Sequence, residues 1–337
     1  MTALVPLNSA ELLTRLHEAR VGEVYVGFHD EGWNARFGSA ELNRMSGFGR
    51  EANPFDFEQM CEQVSRAKEL GMRAFVCFNA SSYTDAQRSY IRDAYLPQLA
   101  RVGAQGIILS SLALVEAARN EGLDAVISTV AGVFNARLAA YYGNLGATRI
   151  ILPRDLSIFE IQDIVVAQPQ LEYEVFLMRN GCMFSDSHCL GCHRAGKPSL
   201  CTSLRTGEWD IRLKGGVHSA PDEVLLQRAR QSEWLLNTHY HRRTCGLCAL
   251  WRFEQLGIAA YKVVGRGDDA DDLVRDATLV VQNTQIARSC ATEEEYHERM
   301  QLPSDPRTLC GYNGLSCYYP EISFATRDAG KHVFIDA

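Results

Sequence analysis

The sequence predicts an α/β fold whose parallel sheet closes into a TIM-barrel-like barrel, with a cysteine-rich insertion after a late barrel strand. Three observations lead there. Strand-like and helix-like stretches alternate from residue 9 to residue 178. That alternation carries six strand-like runs, and another returns at residues 260–264 (AYKVV). Repeated βα order favours a parallel sheet with covering helices. Six or more units favour closure, and a doubly wound open sheet is the alternative. Finally, the alternation breaks just where cysteines crowd together, in the stretch EVFLMRNGCMFSDSHCLGCHRAGKPSLC at 174–201.

Taken in order, residues 9–19 are helical in pattern, with Asn8 and Glu11 as the capping-box pair. Residues 23–27 (EVYVG) read as the first strand. In residues 55–70, Phe57, Met60, Val64 and Ala67 recur every three or four positions and make one apolar helical stripe. Cys61 borders that stripe and reads as packing. Residues 73–79 (RAFVCFN) form the second strand, with Cys77 facing the core. A helix over 86–101 leads to a strand at 106–110, and a short helix through Ala118 leads to a strand at 125–129. A helix over 134–145 precedes the strand at 148–152, and Ser157 with Glu160 starts the next helix at capping-box spacing. Residues 173–178 complete the sixth strand.

From 191 to 218 the chain is rich in Gly, Pro, Ser and Thr. A loop of that length needs an internal reason to order, and a metal clip would supply one. Helices are expected at 223–239, between Cys248 and Gly257, and over 273–300. The acidic run at 268–272 reads as a solvated turn or helix start. The tail carries Cys310 and Cys317 and an extended end at 332–335. Residues 1–266 are assigned to the barrel, with the insertion at 179–221, and residues 267–337 to an extension packed on it.

A net charge of −7 offers no general positive sheath for nucleic acid. Arg205, Arg212, Lys214, His239, His241, Arg242 and Arg243 remain a possible local patch. Hydrophobic content of 46% and charged content of 22% are ordinary for a globular protein. No basic start with a long apolar run marks a secretory signal, and no stretch approaches a membrane span, so a cytoplasmic protein is expected. Of eleven cysteines, Cys61 and Cys77 alone precede residue 180. In a reducing compartment such crowding points to metal ligation or catalysis rather than disulfides.

Four thiolates suit tetrahedral zinc or a cubane cluster. Cys189 with Cys192 and Cys245 with Cys248 form two CxxC pairs, a spacing familiar from structural zinc sites. His188 and His193 read as polar neighbours rather than ligands. HExxH and GxSxG motifs are absent from the sequence, so a zinc or serine peptidase is poorly supported. A cysteine peptidase would need Cys182 or Cys189 with His188.

Several stretches carry a family resemblance: GEVYVG at 22–27 followed by Asn34, Ala35 and Arg36; AKELG at 67–71 before FVCFN; Ser128, Thr129 and Asn135; LGATR at 145–149; LPRDLS at 152–157 with Glu160 and Ile161; EVF at 174–176 followed by Gly181, Cys182 and Cys189; and KVVGR at 262–266. In this order the chain resembles the collagenase-like peptidase family over about residues 15 to 266. That family, of unassigned peptidase mechanism, includes iron–sulfur proteins of oxygen-independent ubiquinone and tRNA uridine hydroxylation. The resemblance implies a TIM-barrel-like module and a [4Fe–4S] cluster held by Cys182, Cys189, Cys201 and Cys245. Cys192, Cys248 and Val264 depart from the family pattern, and Cys192 and Cys248 are the alternative ligands, with zinc the alternative metal.

Under that reading Arg36 and Arg154 orient an anionic or carbonyl-bearing substrate. Glu174 orients an arginine or manages a proton, and Asn79 and Asn135 supply neutral hydrogen bonds. The implied substrate is a small aromatic compound or a modified nucleoside, with an electron donor and a homologous protein as partners. The alternatives are a non-catalytic cluster-bearing partner of a heteromeric hydroxylase and a peptidase-like hydrolase.

Overall fold

The computed structural model describes residues 2–182, 185–188, 212–235, 244–303 and 317–322, with side chains omitted for 231–235. Eight parallel strands close a barrel in chain order: β1 (Thr2–Pro6), β2 (Glu23–Val26), β3 (Arg73–Phe78), β4 (Gly106–Leu109), β5 (Asp124–Ile127), β6 (Arg149–Ile151), β7 (Glu172–Met178) and β8 (Ala260–Val263). The expected α/β barrel is therefore present. The cysteine-rich stretch from Cys189 to Cys201 lies outside the described residues.

The sequence reading missed β1, the strand that closes the ring. Leu4 pairs with Glu23 on one side and with Lys262 on the other. Ala3, Leu4 and Val5 are buried, so TALVP shows none of the apolar–polar alternation that marks a half-exposed strand. Its register with β2 and β8 identifies it.

Local signals elsewhere held well. Asp56 and Gln59 form a reciprocal capping box at the start of the Phe57–Glu69 helix, whose Met60, Val64 and Ala67 are buried as the stripe predicts. Ser157 and Glu160 cap the Ile158–Ala167 helix in the same way. Ser9, not Asn8, caps the first helix, Ala10–Glu18, accepting from Leu12 N at 3.1 Å. Asn8 instead donates to Asp268 O at 2.8 Å, which ties the end of β1 to the loop after β8.

The helix expected over 86–101 carries a π turn at Ile91–Tyr95 between Asp85–Tyr90 and Leu96–Val102. Tyr95, the last residue of that turn, donates to the Asp30 carboxylate. The helical stretch expected over 273–300 is two helices, Ala270–Ser289 and Glu293–Arg299, parted at Cys290. The longer one packs on β1 and β8. Among the described residues no helix is long and apolar enough to cross a membrane.

Candidate functional site

Glu23, Arg73, Arg149 and Glu172 are the first residues of β2, β3, β6 and β7. They lie at the strand N-terminal end, and Arg149 is their hub. It donates to both oxygens of Glu23 at 2.7 and 3.0 Å, and to Glu172 Oε2 at 2.8 and 2.6 Å. Arg73 closes on Glu23 from the rim. Further along the strands, Lys262 Nζ donates to Glu174 Oε1 at 2.6 Å and lies 3.9 Å from the centre of the Tyr25 ring. Glu174 Oε2 has no hydrogen-bond partner among the described residues and lies 3.9 Å from Arg149 Nη1. Three carboxylates thus face three cations. Burial raises the Tyr25 hydroxyl well above its ordinary value and raises the Cys77 thiol as well, so both are neutral beside this network.

The strand C-terminal ends form the mouth. Arg154, just past β6, donates from Nε to Asp186 Oδ2 at 2.7 Å, and Arg44 meets Asp186 Oδ1 at 2.6 Å. Thr129, just past β5, donates to the same carboxylate at 3.2 Å. Burial alone would raise the Asp186 pKa, but the guanidiniums, Arg154 ahead of Arg44, hold it at about 2. Arg154 also lies 4.0 Å from the centre of the Phe176 ring and donates to Asn180 O. Asn79 accepts from Arg44 N and donates to Ser128 Oγ, both at 3.2 Å. After β8, Arg266 Nη1 donates to Asn43 Oδ1 and Asn53 Oδ1, both at 3.1 Å.

After β7 the chain turns through Arg179 and Asn180, both left-handed at φ 67° and 39°. Few side chains adopt that conformation without support. The support is visible: Arg179 pairs with Asp268, Asp276 and Asp272 at 3.0, 2.9 and 3.4 Å, and Asn180 donates to Asp268 at 2.8 Å. The acidic run therefore does more than start a helix: it anchors the turn that leads to Cys182.

That turn lies against two distant segments. Arg179 N donates to Thr244 O at 2.7 Å and Gly181 N to Thr244 Oγ1 at 3.2 Å. Cys245 bridges antiparallel to Met178 and parallel to Cys317, and Tyr318 N donates to Cys245 O at 3.0 Å. Cys182 and Cys245, 63 positions apart, thus belong to adjoining segments (245 − 182), with Cys317 beside Cys245. All three are half-buried, and the Cys182 sulfur lies within electrostatic reach of Arg154. Cys248 is buried in the turn after Cys245, its carbonyl 2.9 Å from the His297 ring. Cys61 and Cys77 are core residues; burial first, then Glu58, pushes the Cys61 thiol up to about 11. Among the described residues no three His, Cys, Asp or Glu side chains group as metal ligands. Cys189, Cys192 and Cys201 lie outside the described residues.

The fold gathers some predicted site residues and disperses others. Arg154 and Asn79 share the mouth through Arg44, and Cys182 is next to Arg154. Glu174 lies deeper, on Lys262. Arg36 is exposed in the last turn of the Glu31–Phe37 helix, 5.4 Å from the centre of the Tyr90 ring. Asn135 is the exposed N-cap of the Ala136–Asn144 helix, accepting from Leu138 N at 3.0 Å. Sequence reasoning assigned no site role to Arg44, Arg149, Asp186, Lys262 or Arg266. Charged residues opening otherwise apolar strands, such as Glu23 and Arg149, were the available signal for the interior network. Nothing local marked Arg44.

A model of peptidase family U32 matches residues 8–308. The tRNA hydroxylation protein P of Escherichia coli (strain K12) is 27% identical over 168 residues, which cover 49% of this chain and 37% of that protein. The tRNA hydroxylation protein P of Helicobacter pylori (strain J99 / ATCC 700824) is 23% identical over 337 residues, covering 97% of this chain and 75% of that protein. The solved structure of the U32 peptidase Mk0906 aligns with a TM-score of 0.40 at 16% identity, over 53% of this chain and 70% of that one. Since the family match runs through nearly the whole barrel, the chain belongs to peptidase family U32.

Proposed function

We propose that this chain is a cytoplasmic iron–sulfur protein of the collagenase-like branch, acting in oxygen-independent hydroxylation of a nucleoside or an aromatic small molecule. The observation that carries the reading is the meeting of the Cys182 and Cys245 segments beside Arg154, in a U32 chain similar to proteins named for tRNA hydroxylation. Cys182, Cys189, Cys201 and Cys245 would hold a [4Fe–4S] cluster, whose chemistry when bound is one-electron transfer.

The described residues suit such a centre. The Arg154 guanidinium lies within electrostatic reach of the Cys182 sulfur. Asp186 stays ionised at neutral pH and fixes Arg154 and Arg44 at the mouth. Arg154 is then set to orient a carbonyl or anionic group, with Asn79 as a neutral hydrogen-bonding neighbour. Glu174 holds Lys262 through one oxygen and offers the other as an acceptor.

Anaerobic purification followed by iron, sulfide and zinc analysis tests this. About four irons and four sulfides per chain are expected, and Cys182→Ala and Cys245→Ala should each lower that content while Cys61→Ala does not. Stoichiometric zinc without sulfide overturns the reading. Turnover by the single chain with a reductant, set against turnover only beside a homologous chain, separates an enzyme from a partner.

A further inference from the structure

We propose that Arg266 anchors an oxyanion site at the barrel mouth, which receives a carboxylate or phosphate group. Arg266 is buried, at 5% exposure. Both of its hydrogen bonds leave from Nη1, to Asn43 Oδ1 and Asn53 Oδ1 at 3.1 Å. The amides are held in that orientation from behind. Asn43 Nδ2 donates to Phe28 O at 3.3 Å, and Asn53 Nδ2 donates to Met45 O and Gly49 O at 3.1 and 3.3 Å. Gly27 completes the seat, because a Cβ there would lie 2.0 Å from Nη1 and 2.2 Å from Asn53 Oδ1.

What sets Arg266 apart is the charge of its partners. Arg149, Arg154 and Arg179 are each paired with a carboxylate. Among the described residues Arg266 meets amide oxygens instead. Neutral dipoles position a buried cation without cancelling its charge, and such a cation favours an anion as its next neighbour. The Nε–Nη2 edge is not used by either asparagine. That edge presents two parallel N–H groups, the geometry that carboxylate and phosphate oxygens accept in a bidentate pair. Arg44 adjoins Asn43 in the chain and meets Asp186, which Arg154 also holds.

The test is titration calorimetry on the full chain in low-salt buffer, with inorganic phosphate in one arm and acetate in the other. It is independent of metal content, so its failure does not touch the cluster reading. At least one anion should bind the wild type at millimolar concentration and weaken as salt rises. Arg266→Gln should lower that affinity by at least about tenfold. Arg266→Lys, which keeps the charge but loses the edge, guards against a folding defect and should also weaken binding. Arg92→Gln removes an exposed positive charge and should leave binding unchanged. The inference is overturned if neither anion binds the wild type, or if both Arg266 variants bind as tightly as the wild type.

Discussion

The two ends of the barrel interior treat charge in opposite ways. At the strand N-terminal end, Glu23, Glu172 and Glu174 face Arg73, Arg149 and Lys262, and the charges close on themselves. At the mouth, Arg44 and Arg154 share one carboxylate, and Arg266 rests on two amides. The difference teaches what each end is for. A buried network that cancels its own charge fixes one packing of the barrel but has little left for a ligand. At the mouth, Arg266 rests on neutral amides, which position its charge without cancelling it, so that part of its desolvation cost stays uncompensated.

Breaking the closed end should have the largest effect. Arg149→Met leaves the buried Glu23 with only Arg73 at the rim among the described residues and should cost about 3–5 kcal/mol of stability, read from urea denaturation. Gly27→Ala attacks the other end, pushing on Arg266 and Asn53 together. It should cost about 1–3 kcal/mol, the usual range for overpacking a filled site, and should weaken anion binding as well.

Asp186→Asn sharpens the contrast through pH. The folded Asp186 pKa, about 2, lies below the ordinary aspartate value. Its contribution is therefore fully present above about pH 4 and is lost as pH falls toward 2. The variant should be about 2 kcal/mol less stable than the wild type at pH 7, and denaturation curves at descending pH should show that gap shrinking. Arg36→Ala, outside both networks, should change stability by no more than about 1 kcal/mol, the worth of an exposed cation–ring contact.

Much of the barrel was legible because its signals are local. The Phe57–Glu69 stripe, the Ser157 cap and the Gly257 helix end each depend on residues within a turn or two of one another. The candidate site was legible only in part. Cys182 and Arg154 stood out by motif, whereas Asp186, lying between Cys182 and Cys189, passed as one more polar loop residue. Arg36 and Asn135 belonged to quoted motifs, yet their described contacts are a ring stack and a helix cap.

By itself, the sequence determined the βα order, the helix boundaries set by caps and glycines, and the concentration of cysteines after β7. Tertiary structure decided closure by β1, whose apolar run is recognisable only through its register with β2 and β8. It also decided which charges meet. Glu23 and Arg149 are 126 positions apart, and Glu174 and Lys262 are 88 apart. Pairing at such separations follows from strand register and barrel closure, which no local pattern encodes. The same holds for Arg266: its place in a strand motif was plain, but its two amide partners come from a loop more than 200 positions away.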